Sequence, residues 1–485
     1  MSIRIYSVPQ GETITNDFLV SANGQAVPVH TAWVSAVPFN RRWPGHQRSA
    51  DQGELAYFAA FEKDGPVEVQ ITPKKQFQSV IVRPLSKSIT PRIEGNTIAF
   101  NVADAGGYTV ELDGFHNALH LFVDPNKTYD VDLADENTLY FGPGIHDAGL
   151  INLKSGQTVY LDAGAVVYAC IHAKDVDNIR ILGRGILDNS KNVEEILFAM
   201  DKLGDGSRDV KNCRRQHTIR LQGVKNIEID GITIRNSLVY NIAAYGCEGL
   251  TVNNVKIIGC WRYNTDGIDL HNCSHCVIRN CFVRTFDDSI CVKGHTGYPQ
   301  VCEDILVENC TVWCDWGMAL EIGAETRAEQ IHAITFRNCD IIRSTGAVLD
   351  IQNVDYGDVY DVRFEDIRVE YDAVSQYTRI QKDDEDVFVA DPHSDHMPLL
   401  IHFSIPKHSE YSGSDNRRGK NHDITLCGIK VFAERMPPSS LAGYDNEHTT
   451  ADIKIMDLTR NGKKLMTLND AKIQLGNFTE NITIA

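Results

Sequence analysis

The sequence predicts an all-β protein in which a right-handed parallel β-helix, residues 138–485, follows an antiparallel β-sandwich, residues 1–137. Two observations carry this expectation. A short pattern centred on a turn recurs at steps of 23 to 29 residues down the second half of the chain, and the first part has alternating strand-like runs without that repeat.

The repeat reads IEIDGITI (227–234), LTVNNVKI (250–257), CVIRNCFV (276–283), ILVENCTV (305–312), ITFRNCDI (334–341) and VRFEDIRV (362–369). Its turn falls on Gly231, Asn254, Asn280, Asn309, Asn338 and Asp366, residue types that tolerate a left-handed backbone. Weaker copies are IRILGRGI, ITLCGIKV and IKIMDLTR. Steps of this length leave no room for a strand–helix–strand unit, and the L-x-x-L-x-L frame of a leucine-rich solenoid is absent. A coil of three short strands fits, with successive coils hydrogen-bonded in parallel about 4.8 Å apart. Cys281, Cys310 and Cys339 then stack as one interior column.

Ahead of the repeat, VEVQIT, SVIVRPL, TIAFNV, YTVELDG and ALHLFVD alternate apolar and polar residues between Gly, Pro, Asp and Asn, which suggests the sandwich. Two stretches exceed the coil length, roughly 187–217 and 372–421, and read as charged loops that wall one face of the solenoid.

Charge excludes some functions. Lys plus Arg number 47 against 65 for Asp plus Glu, a formal net charge of −18 that argues against nucleic acid as partner. No run approaches the roughly 18 apolar residues of a membrane span, and MSIRIYSVPQGET lacks the sections of a secretory leader. Thirteen cysteines, an odd number without zinc spacing, read as small reduced core residues. A cytoplasmic location is therefore expected, or a secreted one if a leader has been trimmed from this start, with oligomeric state left open.

Counting back from the repeat aligns a second strand of each coil: NIAAYG, GIDLHN, SICVKG, ALEIGA and VLDIQN. In that register Tyr240, Asp266, Asp288, Met318 and Ala347 share the column just before the strand. Asp266 then lies about one rung, roughly 4.8 Å, from Asp288, with Asp287 beside both. Like charges this close cannot all stay ionised cheaply, so at least one carboxyl is expected to hold its proton. One proton donor beside basic neighbours is the division of labour that breaks a glycosidic bond. A turn-capping Asp ladder and a calcium site are the alternatives. Asp269 is expected to support the turn or orient a neighbour.

NTDG (264–267) followed by DDSICVKG (287–294) resembles the signatures of glycoside hydrolase family 28, the polygalacturonases, and of the related family 49 dextranases and isopullulanases. The resemblance covers the β-helix, and the sandwich in front is similar to the family 49 arrangement. It implies a pectin-lyase-like fold and an inverting hydrolase without metal or cofactor. Asp287 resembles the general acid; Asp266 and Asp288 resemble the pair that activates water. The chain departs from the polygalacturonases at two places. Their G-H-G reads Gly317-Met318-Ala319 here, and their R-I-K, which holds the uronate carboxylate, reads Asp350-Ile351-Gln352. An acid and an amide cannot supply that contact, so a neutral saccharide, α-glucan by analogy with dextranases, is the expected substrate.

Outward positions of the stacked strand are expected to floor the cleft: Asp269, Glu321 and Asp350 in one column, His271, Lys293 and Gln352 in the next. Lys293 can alternatively hold a neighbouring carboxylate ionised, and His295 can replace the missing histidine. Tyr240, Trp261, Tyr263, Trp313 and Trp316 border the acids and suit stacking on sugar rings. The competing functions are a uronide hydrolase with unfamiliar carboxylate contacts and a non-catalytic carbohydrate-binding β-helix.

Overall fold

At every turn position of the repeat the backbone is left-handed: φ is 85° at Gly231, 51° at Asn254, 58° at Asn280, 56° at Asn309, 52° at Asn338 and 50° at Asp366. The computed structural model describes residues 2–36, 53–192, 217–371, 397–407, 412–413 and 416–485. Most of the two long insertions expected from the sequence lies outside the described residues.

From Thr138–Phe141 onward the strands stack coil on coil as a right-handed parallel β-helix. One long parallel sheet runs through Glu248–Asn253, Ser274–Arg279, Val301–Glu308, Gln330–Arg337 and Asp358–Glu365. A second forms the other faces and includes Ile242–Tyr245, Ile268–His271, Ile290–Gly294, Leu320–Thr326, Leu349–Asn353 and Ile401–Ser404. Alternate residues of these strands point inward, and Ile268, Leu270, Ile290, Val292, Leu320, Ile322, Leu349 and Ile351 lie in one continuous apolar core. Cys281, Cys310 and Cys339 are buried as consecutive neighbours in it. The twelve cysteines among the described residues are all free.

The coil corners are tied together by side chains as well as backbone. Asn280 Nδ2 donates to Asn253 Oδ1 (2.8 Å), and Asn309 Nδ2 donates to Asn280 Oδ1 (3.3 Å). Asn338 Nδ2 continues the ladder to Asn309. An asparagine both relieves the left-handed strain of its own corner and bonds the next coil, which explains its recurrence at these positions.

Ahead of the helix, a five-stranded antiparallel sheet packs face to face with a six-stranded sheet around Phe18, Val69, Phe100, Tyr108 and Leu121. Within the otherwise antiparallel sandwich one pair is parallel, Gly53–Lys63 with Leu119–Pro125. These strands are joined through other strands rather than by a hairpin, so no tight turn imposes an antiparallel pairing on them.

The sandwich is bolted to the helix by buried charges and rings. Arg184 Nε meets Glu62 at 2.8 Å, Lys256 Nζ meets Asp124 at 2.8 Å, and Arg83 binds both Glu111 and Glu370. Arg284 Nη1 lies 2.9 Å from His120 Nε2, with its guanidinium 4.0 Å from the Trp313 ring centre. Phe58, Phe122, Phe282 and Trp313 fill the seam. Since Arg284 sits in Phe282–Thr285, the strand leading directly into Asp287, the sandwich fixes the approach to the acidic bend. Among the described residues no helix is long and apolar enough to cross a membrane.

The asparagine ladder makes a prediction. Asn309→Ala keeps the corner left-handed without the amide and should cost about 1–3 kcal/mol in urea unfolding. Asn309→Gly, which relieves the backbone strain, should cost measurably less.

Candidate active site

Backbone hydrogen bonds between coils place the acids. Asn241 N donates to Asp266 O (2.9 Å), Gly267 N to Asp288 O (2.8 Å), Ser289 N to Met318 O (2.8 Å) and Ala319 N to Ala347 O (3.1 Å). The column inferred from the register is therefore a run of neighbouring backbone groups. One oxygen from each of Asp266, Asp287 and Asp288 lies within 4.8 Å of the others. Residues 21 and 22 positions apart in the chain thus share one patch.

Local backbone geometry sets each carboxyl. Asn264, left-handed at φ 59°, turns its N–H onto Asp287 Oδ2 (2.7 Å), and Asp288 N donates to Asp287 Oδ1 (3.1 Å). Met318 N donates to Asp288 Oδ1 (3.1 Å). Gly317 makes this approach possible, since a Cβ there would lie 2.4 Å from Asp288 N.

A single cation organises the group. Lys293 Nζ lies 3.0 Å from Asp288 Oδ2, 3.1 Å from Asp266 Oδ2 and 3.3 Å from Asp269 Oδ2. Burial opposes its charge, but the three carboxylates hold the ammonium protonated well above the ordinary lysine range. The acids respond differently. Burial, reinforced by the neighbouring Asp288, pushes Asp287 up to about 8, and burial pushes Asp269 to about 6. Burial also carries Asp266 well above the usual carboxylate range, with Lys293 pulling against it. Asp287 is thus held in its carboxylic-acid form toward neutral pH because only 7% of it is exposed.

Several residues expected on the cleft floor lie elsewhere. Asp269, Glu321 and Asp350 do point away from the apolar core, and they share a column that includes Cys291, but all are buried, as is His271. Asp269 lies beneath Lys293, and Asp350 is capped by His402 Nδ1 at 2.7 Å, so neither presents its carboxylate to solvent. The neighbouring column is interrupted: a bulge after Val292 shifts the register, and Gln352 pairs with Gly323 rather than following Lys293.

The aromatic residues divide similarly. Trp261 packs edge-on against Trp33 of the sandwich, and Trp313 belongs to the interdomain seam. Tyr263 is buried against Phe286 and Trp316. Their rings complete packing, so the expected sugar-stacking role is withdrawn for these three. Trp316 and Tyr240 remain partly exposed at the rim, Trp316 stacked on Phe286 and Tyr240 carrying the Lys293 ammonium 5.6 Å from its ring centre.

His295 packs with its ring 4.9 Å from His271 and its Nδ1 accepting from Arg327 Nη2 at 3.1 Å. Tyr245, stacked 4.3 Å from His271, belongs to the same group of rings and was legible from the register of NIAAYG over GIDLHN, though the sequence reading passed it over. Arg327 and His402 had no such signal: Arg327 follows a register shift in Leu320–Thr326, and His402 follows a stretch of sequence longer than one coil.

The acidic patch resembles a cation site only in composition. Asp266, Asp287 and Asp288 could each offer one oxygen, as could Asp288 and Glu321 with the Cys291 sulfur, but the Lys293 ammonium already supplies the positive charge to two of these aspartates. What the arrangement can do chemically is hold one proton ready on Asp287 and orient a water between two carboxylates fixed by one ammonium.

The sequence model described as glycosyl hydrolases family 28 matches residues 138–387. A dextranase of Arthrobacter sp. (strain CB-8) is 22% identical over 209 residues, 40% of this chain and 30% of the relative. The exopolygalacturonase of Arabidopsis thaliana named clone GBGA483 is 26% identical over 254 residues, 51% of this chain and 50% of the relative. The chain thus spans half or less of the length of these curated relatives. Among solved structures, Dex49A from Penicillium minioluteum has a TM-score of 0.62 at 15% identity, covering 98% of this chain and 96% of that one, a likeness of fold.

Two substitutions test the geometry. Gly317→Ala should displace the Asp287–Asp288 bend, lowering kcat by about 10-fold or more and also lowering Tm, since the clash is with backbone. Lys293→Met should leave buried carboxylates without their counter-charge, abolishing turnover and lowering Tm more at pH 8 than at pH 5.

Proposed function

Because the chain belongs to family 28 of the glycosyl hydrolases, we propose that it is an inverting glycoside hydrolase acting on a neutral poly- or oligosaccharide, with an α-glucan of the dextran type favoured. The observation that carries this reading is the convergence of Asp266, Asp287 and Asp288 within 4.8 Å, with the proton retained on Asp287.

In this mechanism Asp287 protonates the glycosidic oxygen as the bond breaks. Its two backbone hydrogen bonds fix the plane of the carboxyl, and burial keeps it protonated until a leaving oxygen arrives. Asp266 and Asp288, both oriented by Lys293, hold the water, and Asp288 takes its proton as it attacks the anomeric carbon. The carboxyl separation is tighter than the roughly 6.5–9.5 Å common among inverting enzymes. Inversion therefore rests on the family and on the shared water position, and the anomer of the product decides it.

A neutral sugar is favoured by the coil after Met318. Where the polygalacturonases resembled by this chain carry two cations, Asp350 is buried on His402 and Gln352 is an uncharged amide. The names of the relatives are divided between dextranase and polygalacturonase. One observation favours a uronide instead: Arg220, 5.8 Å from the Tyr245 ring centre, and Arg327, bonded to His295, place cationic groups beside the Tyr245, His271 and His295 rings. Free cysteines fit a reducing compartment, where short oligosaccharides are the favoured form of substrate.

Incubation with neutral oligosaccharides and with oligogalacturonates, followed by NMR of the newly formed anomer, separates these readings. Cleavage of a neutral α-glucan with inversion is expected; a retained anomer refutes the mechanism, and cleavage of the uronide alone refutes the neutral substrate. Asp287→Asn should lose about 10³-fold or more in kcat. If it retains every measurable function, the chain is a binding protein.

Asp287 also links stability to pH. Its folded value of about 8 lies above the unfolded value of 3.8, so the folded state binds the extra proton. The stability associated with that proton is complete below about pH 4 and is lost as pH rises toward 8. Asp287→Asn is therefore expected to raise Tm relative to wild type at pH 8 and to leave it nearly unchanged at pH 4.

A further inference from the structure

Asp288 heads a single file of titratable groups. One of its oxygens lies within 4.8 Å of one of Glu321, Glu321 is the register partner of Asp350 on the next strand, and Asp350 Oδ1 lies 2.7 Å from His402 Nδ1. The strand register dictates this alignment, since Cys291, Glu321, Asp350 and His402 are consecutive partners across four coils. Glu321 and Asp350 are 1% and 0% exposed, whereas the His402 side chain is 25% exposed. The file therefore leads from the acidic patch to solvent at a different point on the surface.

A purely structural role accounts poorly for these residues. Buried carboxyl groups cost free energy relative to amides or apolar residues of the same volume, and the described residues give Glu321 no lysine or arginine bonded to it. Buried carboxyls stacked at adjacent register positions cannot all be ionised cheaply, so protons are resident along the file. Burial first, then Asp288 and Asp350, keeps Glu321 well above the usual range and makes it the natural resting place for one of them. Met318 occupies the place of a histidine in the resembling family and offers Asp288 only its backbone N–H. The imidazole connected to Asp288 is instead His402, three coils further on.

The geometry points to a proton relay: Glu321, Asp350 and His402 carry the proton that Asp288 takes from the attacking water out to solvent. This inference rests on the hydrolase reading above. Asp288 receives one proton from water. Glu321 accepts it and passes its own to Asp350, and Asp350 passes one to Nδ1 of His402. The imidazolium then sheds a proton to solvent. One proton enters, one leaves, and each carboxyl ends as it began. While sugar covers Asp287 and Asp288, this route empties the base without passing through the cleft. Glu321, Asp350 and His402 are positioning residues in this scheme, since none of them touches the reacting atoms.

Two measurements test it. On the substrate cleaved by wild type, His402→Ala should lower kcat about tenfold in dilute buffer at unchanged KM, and added imidazole should restore it while leaving wild type indifferent. Glu321→Gln, which preserves volume and hydrogen bonding but cannot pass a carboxyl proton, should show a similar loss that imidazole does not repair. Full turnover in either variant, or a loss in His402→Ala that imidazole leaves unchanged, overturns the relay. Without substrate, infrared spectra at neutral pH should contain a carboxylic-acid C=O band that disappears in Glu321→Gln and shifts in His402→Ala. Absence of that band, or its indifference to His402→Ala, overturns the relay whatever the wild-type enzyme cleaves.

Discussion

The hydrogen bonding of each coil to the next is the constraint on which the rest of the structure depends. Parallel stacking sets successive strands one rung apart, so residues 20 to 30 positions apart in sequence meet at side-chain distance. Apolar residues facing inward build one unbroken core, and asparagines at the corners join into ladders. Acidic residues at the entrance of two consecutive strands are forced into one patch. The same rule that stabilises the solenoid therefore also concentrates charge, and the chain must compensate for that concentration.

Compensation comes from Lys293. An ammonium bonded to Asp266, Asp269 and Asp288 offsets the repulsion of groups that burial would otherwise drive toward neutrality together. Asp287 makes no such bond and is held by backbone N–H groups instead, so burial keeps its proton in place. Within one cluster the lysine opposes the effect of burial on the carboxyls it reaches, while Asp287 is held by backbone groups. The sandwich contributes by gripping Arg284 and Trp313, which fixes the strand that enters the acidic bend.

Much of this was legible in the residues. Turn types at regular spacing identified the coil, and the column from Tyr240 to Ala347 followed from counting backward along the repeat. The surroundings of the acids were less legible, because an outward-facing residue on a solenoid strand can be either exposed or covered. Asp269 and Glu321 carry the pattern of surface groups but are buried beside Lys293, Asp288 and Asp350. Trp261 and Tyr263 flank the catalytic motif in sequence while their rings turn into packing.

By itself the sequence determined the repeating coil, the left-handed corners and the meeting of three aspartates, because periodicity of backbone geometry is a local property that each repeat carries within it. Tertiary structure alone decided which carboxyl keeps a proton, which aromatic rings stay at the rim, and that His402 reaches Asp350. Those outcomes depend on burial and on contacts between segments that share no repeat, and such contacts leave no period along the chain.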